Sequence, residues 1–172
     1  MRISNSVRVV VAAAAVAAAM IWLAPARALA GPGTNIAVYA SVVANCTITA
    51  TSIGFASYDP VGNQATANLD AQGSLTVACT KGVNPSVGLD NGVNGTTDLV
   101  RRLAGNGAFL TYELYKEESR ITPWRNSGTG LLSLGTAPSK TARSFPVYAR
   151  LPGGQDVPAG TYTDTIVATV NF

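Results

Sequence analysis

Tyr162-Thr163-Asp164-Thr165-Ile166-Val167-Ala168-Thr169-Val170-Asn171-Phe172 alternates in character along its length. Ile166, Ala168, Val170 and Phe172 fall on one parity, and Thr163, Thr165, Thr169 and Asn171 fall on the other. Successive side chains of a β-strand point to opposite faces, so the run reads as a long strand with one wall against a core.

Further candidate strands precede it at 144–150, 131–134, 108–115, 99–103, 86–89 and 75–79, with another apolar stretch through Cys46, Ile48, Ile53 and Phe55. Turn formers separate them, among them Tyr58-Asp59-Pro60, Asp90-Asn91-Gly92 and Asn106-Gly107, while 61–73 reads as a polar segment. No window after residue 30 carries a period of 3.6 residues, so helix is expected to be scarce. About seven short strands with Greek-key spacing predict an all-β fold, an immunoglobulin-like β-sandwich in preference to a closed barrel.

The first alternating run is also the most isolated. Ile36, Val38, Ala40, Val42 and Ala44 share one parity, opposite Ala37, Tyr39, Ser41 and Asn45. Gly31-Pro32-Gly33 precedes them, and no nearby turn would pair this strand with its sequence neighbours. Ahead of it, Arg2 and Arg8 precede an apolar run over 9–23, and Ala28-Leu29-Ala30 forms an A-x-A cleavage site. The reading is a secretory signal over 1–30, which predicts export.

That processing changes the electrostatic reading. The 172 residues carry 12 Lys plus Arg against 9 Asp plus Glu, but three of the cations, Arg2, Arg8 and Arg27, lie in the leader. The remainder is formally neutral, and the net charge is no argument for a nucleic-acid partner. Arg101-Arg102, the one adjacent basic pair after the leader, is expected on a solvated face or loop.

Two cysteines, Cys46 and Cys79, follow the leader, and an oxidising compartment predicts that they pair as a disulfide. The sequence contains no histidine, so Ser-His-Asp and Cys-His nucleophiles and His-based zinc or copper sites are excluded. Neither an S-x-x-K nor a G-x-S-x-G motif is present, nor a phosphate-binding glycine loop. Asp90-Asn91-Gly92-Val93-Asn94-Gly95 lacks the spaced carboxylates and closing Glu of a calcium loop and reads as a tight turn. Glu113, Glu117 and Glu118 read as solvated surface, and Tyr112, Tyr115, Trp124 and Tyr148 as core or sheet packing. No enzyme activity, cofactor or metal site is expected.

Several separate motifs resemble one family. Asn45-Cys46-Thr47-Ile48, Phe55-x-x-Tyr58-Asp59-Pro60, Gly73-x-Leu75-x-Val77-x-Cys79-Thr80-x-Gly82 and Val87-Gly88-Leu89-Asp90 are similar to the spore coat protein U domain family, which includes the pilins of archaic chaperone-usher systems. Arg101-Arg102-Leu103, Leu110-x-Tyr112-x-Leu114-Tyr115, Thr122-x-Trp124 and the run from Val147 through Arg150-Leu151-Pro152 and Pro158-Ala159-Gly160 to Asp164 extend the likeness through the second half.

The resemblance implies a sandwich that is missing one strand. Residues 31–43 would be an N-terminal donor-strand extension and 44–172 the pilin domain. Ile36, Val38, Ala40 and Val42 would bind the next subunit, and the strand of Ile166, Ala168, Val170 and Phe172 would contact a periplasmic chaperone and wall the vacant groove. Partners would be copies of the chain or related pilins in a head-to-tail fibre, a periplasmic chaperone and an outer-membrane usher, with the final location a cell-surface fimbria serving adhesion or biofilm formation. A secreted carbohydrate- or surface-binding module of the tip-adhesin kind and a spore or cyst coat component are the alternatives. Length weighs against the tip adhesin, because such proteins generally resemble two-domain chains.

Overall fold

The computed structural model describes residues 31–172, so the expected leader lies outside the described residues. The chain divides into two units, of which Ser41–Phe172 is the larger; in the other, residues 31–40 carry no strand or helix and are exposed throughout. The expected N-terminal strand does not form a ladder, and the first strand of the compact unit begins at Cys46.

Eight strands follow: β1 (Cys46–Ala50), β2 (Leu69–Cys79), β3 (Ser86–Leu89), β4 (Arg101–Gly105), β5 (Ala108–Tyr115), β6 (Leu132–Ser133), β7 (Arg143–Leu151) and β8 (Ala168–Asn171). They build two antiparallel sheets, β1-β2-β7-β5-β4 and β6-β3-β8, the two layers of an immunoglobulin-like sandwich. No α-helix occurs among the described residues, only two short 3₁₀ turns.

Strand-period alternation decides which side chains meet between the layers. Leu75, Val77 and Cys79 of β2, Leu110, Tyr112 and Leu114 of β5, and Val147, Ala149 and Leu151 of β7 are buried on one face of the larger sheet. Val87 and Leu89 of β3 meet them from the smaller sheet, and Trp124 is fully buried beside them. A disulfide joins Cys46 to Cys79, which are directly opposed in the β1–β2 ladder. Closing that loop stabilises the fold by about 3 to 4 kcal/mol in the chain-entropy picture.

Several boundaries differ from expectation for identifiable reasons. β2 begins at Leu69, six residues earlier than expected, because its polar first half pairs through the backbone with β7, Leu69 opposite Leu151 and Gly73 opposite Val147. Leu99 takes φ +64°, a left-handed turn conformation, so β4 starts two residues later than the apolar pattern implies. The C-terminal strand is laddered only over Ala168–Asn171. Upstream of it, Thr163 bridges to Ala104 of β4, so the chain crosses there from one sheet to the other. Gly105 permits that crossing, since a Cβ at this position would lie 2.1 Å from the Thr161 carbonyl oxygen.

The expectation for Arg101-Arg102 is overturned. Arg101 is fully buried, and its guanidinium donates to the carbonyls of Asp90 (2.8 Å), Leu89 (2.9 Å) and Trp124 (2.7 Å) and pairs with Glu113. Arg102 is half-buried, bonded to the Asn94 carbonyl and stacked on Phe109. Glu113, expected on solvated surface, sits between Arg101 and Arg125. A buried guanidinium persists only when its donors are satisfied, and these acceptors come from both layers of the sandwich.

Candidate functional site

One side of the sandwich is open. β1 pairs with β2 alone and β8 with β3 alone, so each presents a free backbone edge, and no ladder joins the two. Between the chain leaving β1 and the chain entering β8 runs a groove made of two chambers, of about 370 and 550 Å³.

The first chamber has Ala50–Phe55 on one wall and Asp164–Ala168 on the other, over a floor of Leu75, Leu89, Leu114 and Val147. The second continues between Ile53–Pro60 and Val157–Asp164 over Leu110 and Leu151. Ile53, Phe55, Leu103 and Asp164 line both and mark where the two chambers meet. The Phe55 ring stands edge-on to Tyr112, with centroids 6.4 Å apart.

This junction is held from behind by polar groups. Asp164 accepts the Tyr112 hydroxyl proton at 2.8 Å, the Asn94 backbone N–H at 3.1 Å and the Asn94 side-chain amide at 3.0 Å. Burial, followed by that bond to Asp164, pushes the Tyr112 hydroxyl well above its ordinary pKa, so it remains a donor at any physiological pH. Asp90 accepts the backbone N–H groups of Gly92 and Val167. These two carboxylates hold the C-terminal segment through the tight turn at 90–95. Gly92 makes this possible, with φ +78° and a Cβ position only 2.0 Å from the Asp164 carboxylate.

A second tie fixes the opposite wall. The Tyr58 hydroxyl donates to the Pro152 carbonyl at 3.1 Å and accepts from the Gln155 N–H at 2.9 Å. Gln155 in turn bonds both the N–H and the carbonyl of Thr111, completing the edge of β5 where β7 has ended. Both walls of the groove are therefore anchored to the rigid sheet.

Of the residues singled out from sequence, Ile166 and Ala168 line the first chamber. Val170 lies further along β8, opposite Val87, and Phe172 is exposed. Ile36, Val38 and Val42 are 84%, 89% and 85% exposed, and Ala40 is exposed with them. Sequence reading missed Leu103, Phe55 and Asp164 as groove residues. The signal for Phe55 and Ile53 was available, since they form a short apolar alternation of their own past the end of β1, on the opposite parity to Cys46 and Ile48.

The Spore Coat Protein U domain family matches residues 33–169. The chain belongs to this family. Protein U of Myxococcus xanthus is 37% identical over an alignment of 182 residues that covers 98% of this chain and 99% of its own length. In the fold comparison, the CsuC–CsuE chaperone–tip adhesion subunit pre-assembly complex from the archaic chaperone-usher Csu pili of Acinetobacter baumannii aligns with a TM-score of 0.56. That alignment is 24% identical and covers 77% of this chain and 40% of the matched chain, so it bears on the fold. Among the described residues no group of three or more Cys, Asp and Glu side chains is arranged to hold a metal, and no helix is long and apolar enough to cross a membrane.

Proposed function

We propose that this spore coat protein U domain protein is a non-catalytic structural subunit of a chaperone-usher fimbria, polymerising by donor-strand complementation. The observation that carries the reading is the apolar groove between the chain leaving β1 and the chain entering β8, two strands with free edges, in a chain that also carries an exposed alternating segment over 34–44. Exposed edges and apolar grooves invite aggregation unless a strand fills them. An added strand satisfies the edge backbones while its alternate side chains enter pockets.

In this reading residues 1–30 are removed on export, 31–43 form the donor extension and 44–172 the accepting domain. A periplasmic chaperone fills the groove first, contacting the strand of Ile166, Ala168, Val170 and Phe172. The N-terminal segment of the next subunit then replaces it at an outer-membrane usher. Burying Ile36, Val38 and Val42 contributes about 1.5 to 3 kcal/mol each before the ladder is counted. Donor and groove are different surfaces, so the contact is heterologous and propagates as a surface fibre suited to adhesion or biofilm formation.

The test is electrophoresis of the surface fraction with and without boiling, comparing the intact chain with an Ile36→Asp, Val38→Asp variant. A ladder of unboiled multimers that collapses in the variant is expected. A monomer in both sinks the proposal.

The near full-length likeness to Protein U favours one further reading, a coat component built by the same strand exchange. Fractionation separates the two, because a coat component is recovered with spores or cysts and a fimbrial subunit with material sheared from growing cells.

A further inference from the structure

We infer that Thr80 is the positioning residue at the root of the N-terminal extension: its hydroxyl holds the chain at 43–45 and so stiffens the joint between successive subunits of a fibre. The inference rests on the donor-strand reading of the segment ahead of Val43.

The hydroxyl fills a gap left by the sheet. β1 and β2 pair from Cys46 opposite Cys79 to Ala50 opposite Leu75, and one further rung joins the Thr80 N–H to the Asn45 carbonyl at 2.9 Å. Beyond that rung the chain after β2 turns away. Gly82 takes φ +89° and donates its N–H to the Ala137 carbonyl at 2.9 Å, while the Val83 N–H returns to the Thr80 carbonyl at 3.2 Å. The backbone of β2 therefore offers residues 43–45 no second rung. The Thr80 side chain stands in for it, accepting the Asn45 N–H at 3.1 Å and donating to the Val43 carbonyl at 3.1 Å. Among the described residues, Val43 is the first of the compact unit whose backbone is hydrogen-bonded.

The anchor itself is rigid. Thr80 follows buried Cys79, which is bonded to Cys46, and the turn after it is tied to buried Ala137. In a donor-strand fibre the segment ahead of Val43 lies in the groove of a second copy, so the backbone passing from one body to the next runs through 43–45. Unbonded, these residues would keep their torsional freedom and let the bodies swing. Bonded on both sides of Ala44, they are ordered before assembly, which lowers the entropic cost of docking the extension.

The test compares the unaltered full chain with Thr80→Val and Thr80→Ser, each expressed with its export partners. Thr80→Val removes both side-chain bonds while keeping the branched shape and the backbone rung; Thr80→Ser keeps the hydroxyl. In the purified exported chain, Thr80→Val is expected to speed hydrogen exchange of the Asn45 amide by about tenfold, the loss of one hydrogen bond. In electron micrographs of sheared surface fibres, Thr80→Val is expected to bend over shorter lengths than the unaltered chain, and Thr80→Ser to match the unaltered chain in both measurements. Formation of the Cys46–Cys79 disulfide and an unchanged denaturation midpoint serve as folding controls, with Thr80→Ala taking the place of Thr80→Val if the latter does not fold. Unchanged exchange in Thr80→Val overturns the clamp, and faster exchange with unchanged fibre bending overturns its role in the joint. A Thr80→Ser variant that behaves like Thr80→Val assigns the effect to the methyl group and overturns the hydroxyl. Absence of multimers from the unaltered chain overturns the donor-strand reading, and the joint with it, whatever the exchange rates.

Discussion

The two long sides of the sandwich are built on opposite terms. On the side of Arg101 the layers are locked together: its guanidinium on the larger sheet reaches the Leu89 and Asp90 carbonyls at the end of β3, and the Trp124 indole donates to the Val87 carbonyl at 2.8 Å. On the other side β1 and β8 face one another with free edges and no ladder between them. A domain that must hold an apolar groove open needs its remaining contacts to resist collapse. Polar cross-links suit that role better than more apolar packing, because they fix geometry as well as distance.

The most severe break in this contrast comes from the locked side. Arg101→Ala strands the Glu113–Arg125 pair without its buried partner and leaves the carbonyls of Leu89, Asp90 and Trp124 without their guanidinium donor. Removing one partner of a buried charge pair is expected to destabilise by about 3 to 5 kcal/mol, read as a shift in denaturant midpoint on purified subunit. A loss below about 1 kcal/mol would show that water replaces the guanidinium and that the lock is incidental.

How much of this was legible follows from where the signal lies. β3 and β5 were recognisable to the residue because Asp90-Asn91-Gly92 and Asn106-Gly107 bound them, and in β5 the apolar parity matches the burial. The start of β2 was not, since Leu69-Asp70-Ala71-Gln72-Gly73 joins its neighbour through backbone bonds that no side-chain pattern announces. Arg101 was misread for the opposite reason. Its charge suggested solvent, yet it shares parity with Leu103 and lies directly opposite buried Tyr112, and that inward parity was the better guide. Cys46 and Cys79 were readable as a pair, but the groove was not: its walls come from 50–60 and 157–168, distant in sequence and mostly outside regular strands. Asp164 is hardest of all, because a carboxylate in a threonine-rich strand gives no hint of the Tyr112 and Asn94 donors that bind it.

A matched pair of truncations sharpens the contrast. Leu134 is 7% exposed just after β6 and lines neither chamber, and Leu134→Ala is expected to destabilise by about 2 to 5 kcal/mol with any assembly defect following from lost fold. Ile166 is half-buried on the wall of the open chamber, where truncation enlarges a space that is already there. Ile166→Ala is expected to cost about 1 kcal/mol or less in the isolated subunit while weakening the unboiled multimer ladder more than that loss explains. Chemical denaturation of the monomer and electrophoresis of the multimer, run on both variants, check this. Equal monomer losses would mean the groove wall is packed as tightly as the core.

The smallest effect belongs to the outer face, away from both lock and groove. Asp70 of β2 lies directly opposite Arg150 of β7 and receives its Nε at 2.7 Å and its Nη2 at 2.8 Å, with Arg120 at 3.3 Å. Hydrogen bonding from Arg150 is the main cause that holds this carboxyl below its ordinary 3.8. A carboxyl with a depressed folded pKa adds stability above its unfolded pKa and loses it as pH falls through the folded value, so the contribution is present at neutral pH and is lost only as the pH drops below 3.8 and through the lowered folded value. The side chain is 36% exposed, so solvent screening limits the pair to about 0.2 to 1 kcal/mol. Asp70→Asn is therefore expected to lower stability slightly at pH 7, and the difference is expected to shrink as the pH is taken below 3.8 and through the lowered folded value, as urea titrations at neutral and acid pH would show. A constant difference across that range would mean the residue acts through packing against Arg120 and Arg150 and not through its charge.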